Sequence, residues 1–110
     1  MDIDNIEFEV RDIEEAKAFY GGLFSWSYTD YGPEYTEFHG ENTVGGFYLS
    51  KTPRIGGPLI IFRTEDLGVM YELVENTGVK ITQNIFEFPG GKRFEFEDPS
   101  GNRLAVWSDK

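Results

Sequence analysis

The residue types that carry most protein chemistry are unevenly represented in this sequence. It contains no cysteine and one histidine, His39, which lies between Phe38 and Gly40 at the end of a predicted strand. Thiolate zinc sites, iron–sulfur clusters and cysteine nucleophiles are therefore excluded. A solitary histidine could act as a general base, but no neighbour in the sequence supports that role. We interpret His39 as a surface or turn histidine.

Acidic groups outnumber basic ones by two to one, with 20 Asp and Glu against 10 Lys and Arg and a net charge of −10. Binding to nucleic acid requires clustered Lys and Arg that neutralise phosphates, and the sequence has no such cluster. The same argument disfavours an anionic membrane surface. The acidity either serves solubility alone or forms an acidic groove that attracts a cationic ligand.

The sequence predicts neither a signal peptide nor a membrane span. Its first residues, Met1 to Asn5, lack the basic region and apolar run of a signal peptide. The longest apolar candidate, residues 58–62, has the length of a strand and not of a transmembrane helix. We therefore predict a cytoplasmic protein.

The elements that must position the polar residues occur in two similar halves. Apolar and polar residues alternate over residues 3–10, which predicts a half-buried strand. Asp12 is expected to begin a helix with an acidic first turn, and strands are predicted at 26–31, 35–39 and 43–50. The second half repeats the order, with a strand at 59–64, a helix after Asp66, and strands at 79–86, 93–97 and 103–108. The sequence thus predicts an α+β fold in which the order βαβββ occurs twice.

Neither half has enough apolar surface to form a stable core alone. The connecting segment, residues 52–58, is too short to separate independent domains. We predict a single domain over residues 1–110, with a first module at about 1–52 and a second at about 57–110. The two modules are expected to share a strongly curved mixed sheet around a cup-shaped cavity.

Three motifs, in order, resemble the vicinal oxygen chelate superfamily of glyoxalases, bleomycin resistance proteins and extradiol dioxygenases. The first is the helix start Val10-Arg11-Asp12-Ile13 that leads to Phe19-Tyr20 and Leu23-Phe24-Ser25-Trp26, where the family has Phe-Gly-Trp. The second is Glu65-Asp66-Leu67, and the third is Asp98-Pro99-Ser100-Gly101-Asn102 before the last strand. The resemblance covers nearly the whole chain, and it implies the fold predicted above and a homodimer.

In metal-dependent members of this superfamily, His and Glu side chains on the sheet bind a divalent ion. The resemblance places three of these positions at Asn5, Leu59 and Ala105, and a fourth near Phe47 or Tyr48. Zinc, nickel and iron require imidazole or carboxylate ligands. One amide carbonyl beside hydrocarbon side chains cannot form such a site, so we predict no metal and no other cofactor.

Residues that alternate with these positions along each strand should face the same cup. The predicted ligand-binding residues are therefore Asn5, Glu7, Glu9, Phe47, Leu59, Ile61, Arg63, Arg103, Ala105 and Trp107. Phe47 and Trp107 could stack on a planar ligand, and Glu7 could pair with an amine. Alternatively, Glu7 and Arg103 form a structural ion pair. The opposite faces of these strands are apolar and suit burial under the helices.

Four phenylalanines near the end of the chain alternate with acidic residues, as expected for strands that contribute to a core. They are Phe86, Phe88, Phe94 and Phe96. We interpret all four as core residues and not as a ligand-binding cage.

These observations predict a metal-free small-molecule-binding protein that takes a cationic or aromatic ligand in an acidic, aromatic-lined cup. One alternative is a glyoxalase-like lyase or isomerase that uses an atypical carboxylate-bound metal, or Glu7 as a general base. Another is an interaction domain whose cup is filled by its own side chains. No catalytic residue is assigned, and whether the protein is an enzyme stays open.

Overall fold

A computed structural model describes residues 1–54 and 56–110. The first half contains β1 (Ile3–Val10), α1 (Ile13–Phe24), β2 (Ser27–Asp30), β3 (Tyr35–His39) and β4 (Val44–Leu49). The second contains β5 (Leu59–Arg63), α2 (Leu67–Asn76), β6 (Ile81–Phe88), β7 (Gly91–Glu97) and β8 (Arg103–Ser108). The predicted α+β class and the two βαβββ modules are confirmed. In the part of the chain that is described, neither helix has the length and apolar character needed to cross a membrane.

The chain forms two compact units. The N-terminal unit comprises Asn5–Pro58, and the C-terminal unit comprises Leu59–Lys110 together with Met1–Asp4. In the N-terminal unit the strand order is β2-β3-β4-β1, with β1 parallel to β4 and the other pairs antiparallel. In the C-terminal unit the order is β5-β8-β7-β6, with β5 parallel to β8. Each unit therefore repeats the same strand pattern.

Both helices begin where the sequence predicts, because an aspartate caps each one. The Asp12 carboxylate accepts the backbone N–H of Glu15 at 2.9 Å, and Asp66 accepts that of Val69 at 3.1 Å. These bonds satisfy backbone donors that have no partner within the helix. The caps fix where each helix starts relative to the preceding strand.

The end of α1 lies beyond two consecutive glycines, Gly21 and Gly22. The helix continues through both glycines to Phe24 and ends at Ser25, which adopts a left-handed conformation with φ of 59°. The family has glycine at this position, and glycine adopts this conformation at no steric cost. The Ser25 N–H donates to the carbonyl of Gly21 at 3.0 Å, which holds the helix end.

Each helix covers an apolar cluster on one face of its own unit. In the N-terminal unit, Ala16 packs with Phe38 and Phe47, and the Trp26 ring stacks on Phe38 with centroids 4.3 Å apart. The C-terminal unit has an equivalent cluster under α2, formed by Leu67, Val74, Phe94 and Val106. Burial of these side chains supplies the main free energy that holds each helix on its strands.

The prediction for the four phenylalanines is correct for two of them. Phe94 is fully buried under α2 and Phe96 packs against the same cluster. Phe86 instead pairs with Arg93, and the Arg93 guanidinium lies over the rings of Phe86 and Phe88 at 5.4 and 6.0 Å from their centroids. Phe86 and Phe88 thus contact the Arg93 guanidinium and lie outside the core.

The β6–β7 hairpin is tighter than predicted, since β6 extends to Phe88 and β7 begins at Gly91. Only Pro89 and Gly90 remain in the turn, and Gly90 has a φ of 115° that favours glycine. Gly91 belongs to the strand because its backbone lies against Ser108, where a Cβ would collide with the Ser108 carbonyl oxygen. Gly91 is therefore required by the close approach of two backbones and not by the geometry of the turn.

The motif before the last strand forms a hydrogen-bonded turn around Asp98. Its carboxylate accepts the Asn102 side-chain amide at 2.8 Å and the backbone N–H groups of Asn102 at 2.9 Å and Ser100 at 2.8 Å. These bonds, the Asn102 side chain first, lower the pKa of Asp98. Gly101 occupies the left-handed region with φ of 88°. The motif therefore sets where β8 begins.

Candidate functional site

The register of three strands gathers polar side chains on the face of the N-terminal unit opposite α1. Gly46 on β4 pairs with Glu7 on β1 and with Glu37 on β3. Residues paired directly across neighbouring strands point to the same side of a sheet. We give the name acidic face to six residues on this side. They are Glu7, Glu9, Tyr35, Glu37, His39 and Tyr48.

Tyr35 lies across the middle of the acidic face. A Cβ at Gly46 would collide with the Oη and Cζ atoms of Tyr35, so the phenol ring occupies the space that a side chain would fill. Because Gly46 separates Glu7 from Glu37, the Tyr35 ring lies between the two carboxylate-bearing positions. The Tyr48 ring meets it nearly edge-on, at 6.4 Å between centroids and 71° between planes.

His39 has a carboxylate partner that the sequence analysis did not recognise. Its Nε2 lies 3.1 Å from Glu37 Oε1 and 3.2 Å from Thr29 Oγ1. Glu37 and His39 are two residues apart on β3, and residues at this spacing share a face of a strand. This spacing within a correctly predicted strand was the signal available in the sequence. His39 is one-third exposed at the end of β3, which agrees with the interpretation as a surface histidine, and its carboxylate partner makes it a member of the acidic face.

Phe47 does not belong to this face, which corrects the prediction that it stacks on a ligand. It pairs with Phe8, is 0% exposed, and its ring centroid lies 5.1 Å from that of Phe38 in the core under α1. The residues of β4 that do face the acidic side are Gly46 and Tyr48, and Tyr48 is 46% exposed. The aromatic groups available to a ligand here are therefore tyrosines.

The structure brings together the predicted site residues of β5 and β8 but buries three of them. Leu59, Ile61 and Ala105 form one apolar cluster with exposures of 5%, 3% and 0%, and Trp107 packs against it. Ile61 pairs with Ala105 and Arg63 with Trp107, as expected from the predicted alternation. The three apolar residues are in mutual contact and leave little surface for a ligand.

Trp107, predicted to stack on a planar ligand, already has several partners within its unit. Its indole N–H donates to Asp4 Oδ2 at 2.9 Å, and its ring lies 5.8 Å from the Arg63 guanidinium and 6.2 Å from the Phe88 ring. Arg63 also binds Asp109 at 2.8 Å, which lowers the pKa of the Asp109 carboxyl. These contacts fix the orientation of the indole.

The buried carboxylate of Glu95 on β7 forms ion pairs with two arginines. The sequence analysis did not identify this cluster. Glu95 is 8% exposed, and its two oxygens lie 2.9 Å from Arg103 Nη2 and 3.0 Å from Arg93 Nη2. It pairs with Ala105 across β7 and β8, so it shares the face of the predicted site residues of β8. The alternation of Arg93 and Glu95 within a strand was visible, but their long-range partner Arg103 was not.

Metal-dependent members of the superfamily bind their ion at four positions. The side chains at these positions in this chain do not fit a transition metal. Asn5, Leu59 and Ala105 offer one amide and two hydrocarbons. Near the fourth position, predicted at Phe47 or Tyr48, the register puts Phe47 in the core and leaves Gly46 and Tyr48 on the acidic face. Zinc, nickel and iron sites are built from imidazole, thiolate or carboxylate. No group of three or more His, Cys, Asp or Glu among residues 1–54 and 56–110 could hold a metal ion.

An open groove of about 410 Å³ lies elsewhere on the N-terminal unit. Its lining comes from the end of β1, the first two turns of α1 and Pro53. Of the predicted site residues only Glu9 borders it. Asp12 on its rim is occupied in capping α1, and Glu15 pairs with Arg11 at 3.5 Å. Of the six residues of the acidic face, Glu9 borders this groove and the other five do not.

Solved structures with this fold come from several bacteria. The chain is similar to a NAD-dependent benzaldehyde dehydrogenase from Legionella pneumophila, with a TM-score of 0.78, 17% identity, and coverage of 96% of this chain and 97% of that one. It is also similar to a glyoxalase/bleomycin resistance protein/dioxygenase superfamily member from Vibrio splendidus 12B01, with a TM-score of 0.73, 14% identity, and 94% and 96% coverage. At these identities the likeness establishes the fold alone.

A third similar structure is the Mn(II)-bound glyoxalase from Novosphingobium aromaticivorans, with a TM-score of 0.71 and 23% identity. The match covers 97% of this chain but 38% of that one. No curated protein matches the sequence. The family model described as Glyoxalase/Bleomycin resistance protein/Dioxygenase superfamily matches residues 2–106. Since this match spans nearly the whole chain and agrees with the two βαβββ modules, the protein belongs to the glyoxalase/bleomycin resistance protein/dioxygenase superfamily.

Proposed function

We propose that this protein binds a small organic cation with an aromatic part on the acidic face, without a transition metal. The observation that carries the proposal is the placement of Glu7 and Glu37 on either side of Gly46, with the Tyr35 ring over the glycine. Carboxylates attract an ammonium group by direct Coulomb interaction. Tyrosine ring faces attract cations through their quadrupole.

Exposure and charge also support this choice of ligand. The Glu37 side chain is 32% exposed and Tyr48 is 46% exposed, so a ligand can reach both from solvent. The net charge of −10 favours the approach of cations and disfavours that of anions. The proposed homodimer and cytoplasmic location rest on the family resemblance and the composition, and they stay predictions.

Titration with benzylammonium, followed by NMR of the backbone amides, tests the proposal. We expect saturable shifts in β3 and β4, and no such shifts with benzoate, which has the same ring and the opposite charge. Glu7→Gln and Glu37→Gln should each weaken benzylammonium binding by about tenfold, equivalent to about 1.4 kcal/mol, because each removes one carboxylate from the face. The binding should also weaken at high salt.

Glu75→Gln on α2 is the matched control, since it changes the net charge equally at an exposed residue of the other unit. Its affinity for benzylammonium should equal that of the unaltered protein. Unchanged affinity in both Glu7→Gln and Glu37→Gln would rule out the acidic face as the binding surface. Equal binding of benzoate and benzylammonium would do the same.

Thermal unfolding of the chelator-treated protein tests the metal-free part of the proposal. An ion present at a hundred times its dissociation constant stabilises by about 2.7 kcal/mol, which raises the midpoint by about 10 °C or more at this size. We expect no saturable shift of the unaltered protein with nickel, zinc, iron, manganese or magnesium. A saturable shift with one of these ions would indicate a metal site and contradict the proposal, and its loss in His39→Gln would place that site at the His39–Glu37 pair.

A further inference from the structure

His39 and Glu37 are placed on the acidic face as a hydrogen-bonded pair. Glu37 Oε1 and His39 Nε2 are 3.1 Å apart, and both side chains are about one-third exposed, at 32% and 34%. Glu37 pairs with Thr29 on β2 and Gly46 on β4, and His39, the last residue of β3, pairs with Ser27 and Val44. Strand pairing on both sides therefore positions the backbone of both residues.

The carboxylate determines which imidazole nitrogen carries the hydrogen. An ionised carboxylate can only accept hydrogen bonds, so Nε2 must donate to Glu37. In a neutral imidazole the other nitrogen then holds the lone pair. The Thr29 hydroxyl, 3.2 Å from Nε2, is compatible with this assignment because its oxygen can also accept. The pair thus leaves Nδ1 as the basic nitrogen.

We propose that His39 is a proton acceptor for a ligand bound on the acidic face, with Glu37 as the residue that positions it. The substrate class is an organic ammonium ion, and the inference rests on the proposed function for the binding of that cation. In the step, an N–H bond of the ammonium breaks, its electron pair stays on the amine, and an N–H bond forms at Nδ1. The product imidazolium faces the Glu37 carboxylate, which stabilises its charge.

This assignment replaces Glu7 as the candidate base of the enzyme alternative. We prefer His39 to Glu7 because the orientation of His39 is observed: its Nε2 lies 3.1 Å from Glu37 Oε1. His39 has an orienting carboxylate, and a base whose orientation is fixed by a third group is the arrangement found in general acid–base catalysis.

The test is long-range ¹H–¹⁵N NMR of the imidazole in the ¹⁵N-labelled full chain, recorded as the pH is raised until the two nitrogen shifts no longer change. His39 is the chain's only histidine, so its two nitrogen resonances need no further assignment. We expect the Nε2–H tautomer to dominate. Glu37→Val, which removes the acceptor and suits a strand, should shift the tautomer ratio toward that of histidine in an unstructured peptide, whereas Thr29→Val should leave it unchanged.

Titration with benzylammonium then tests whether the bound ammonium contacts Nδ1, as proton transfer requires. We expect the Nδ1 resonance to move saturably together with the amides of β3 and β4, and not to move with benzoate. Amide shifts without a response at Nδ1 would contradict the proposed role of His39 as a proton acceptor and would leave the binding proposal intact. No response at either would contradict both. A dominant Nδ1–H tautomer, or an unchanged tautomer ratio in Glu37→Val, would overturn the proposal directly.

Discussion

Replacing Glu95 by glutamine is expected to lower the free energy of unfolding by about 3 kcal/mol, the range observed when one partner of a buried ion pair is removed. Glu95 is 8% exposed and binds Arg93 and Arg103 through separate oxygens at 3.0 and 2.9 Å. Glutamine keeps the shape but has one oxygen, and its amide group presents hydrogens to the other arginine. One guanidinium would therefore lose its carboxylate in a largely desolvated position.

Urea denaturation measures this change, with Glu97→Gln as the matched control. Glu97 lies two residues further along β7 on the same face and is half-buried. No hydrogen bond or ion pair of its side chain is observed among the described residues. The control should lose less than about 0.5 kcal/mol, as is usual for substitutions outside buried networks. A loss below about 1 kcal/mol in Glu95→Gln would mean that solvent compensates the arginines and that the buried pair has no large role.

The second large effect is expected from the Gly45→Ala substitution, which should destabilise the fold by about 3 kcal/mol, at the upper end of overpacking costs. A Cβ on Gly45 would collide with the Phe38 ring and with the backbone carbonyl oxygen of Ile6. Phe38 is 1% exposed and is stacked against Trp26 at 4.3 Å, so it cannot turn away. The Ile6 carbonyl belongs to β1, directly opposite Gly45, so a shift would disturb the strand pairing.

Replacing Gly22 by alanine should instead stabilise the fold. Gly22 lies inside α1, and a Cβ there would meet no atom within 4 Å. Alanine stabilises a helix interior relative to glycine by about 0.5–1 kcal/mol. In thermal unfolding, the midpoint should fall by more than about 10 °C in Gly45→Ala and rise by a few degrees in Gly22→Ala. If the unfolding midpoints of both variants shift in the same direction, the close contacts of Gly45 with Phe38 and Ile6 do not determine the effect of the substitution.

The sequence was sufficient for the features that depend on neighbouring residues. The alternation over Ile3–Val10 and the apolar spacing after Asp12 and Asp66 predicted the elements in their correct order, because a strand and a helix repeat over two and 3.6 residues. The boundaries of β3 and β8 were predicted to the residue. The unsuitability of Asn5, Leu59 and Ala105 as metal ligands also follows from residue type alone.

Which residues meet across strands was decided only by the tertiary structure. Phe47 was placed on the ligand side, yet the β1–β4 register puts it opposite Phe8 in the core and puts Gly46 and Tyr48 on the acidic face. A shift of one residue exchanges the two faces of a strand, and the local pattern of β4, with two adjacent glycines, does not indicate which face is buried. Long-range pairing also joins Glu95 to Arg103. The candidate site depends on contacts between residues distant in sequence, whereas the fold class follows from periodicities within single segments.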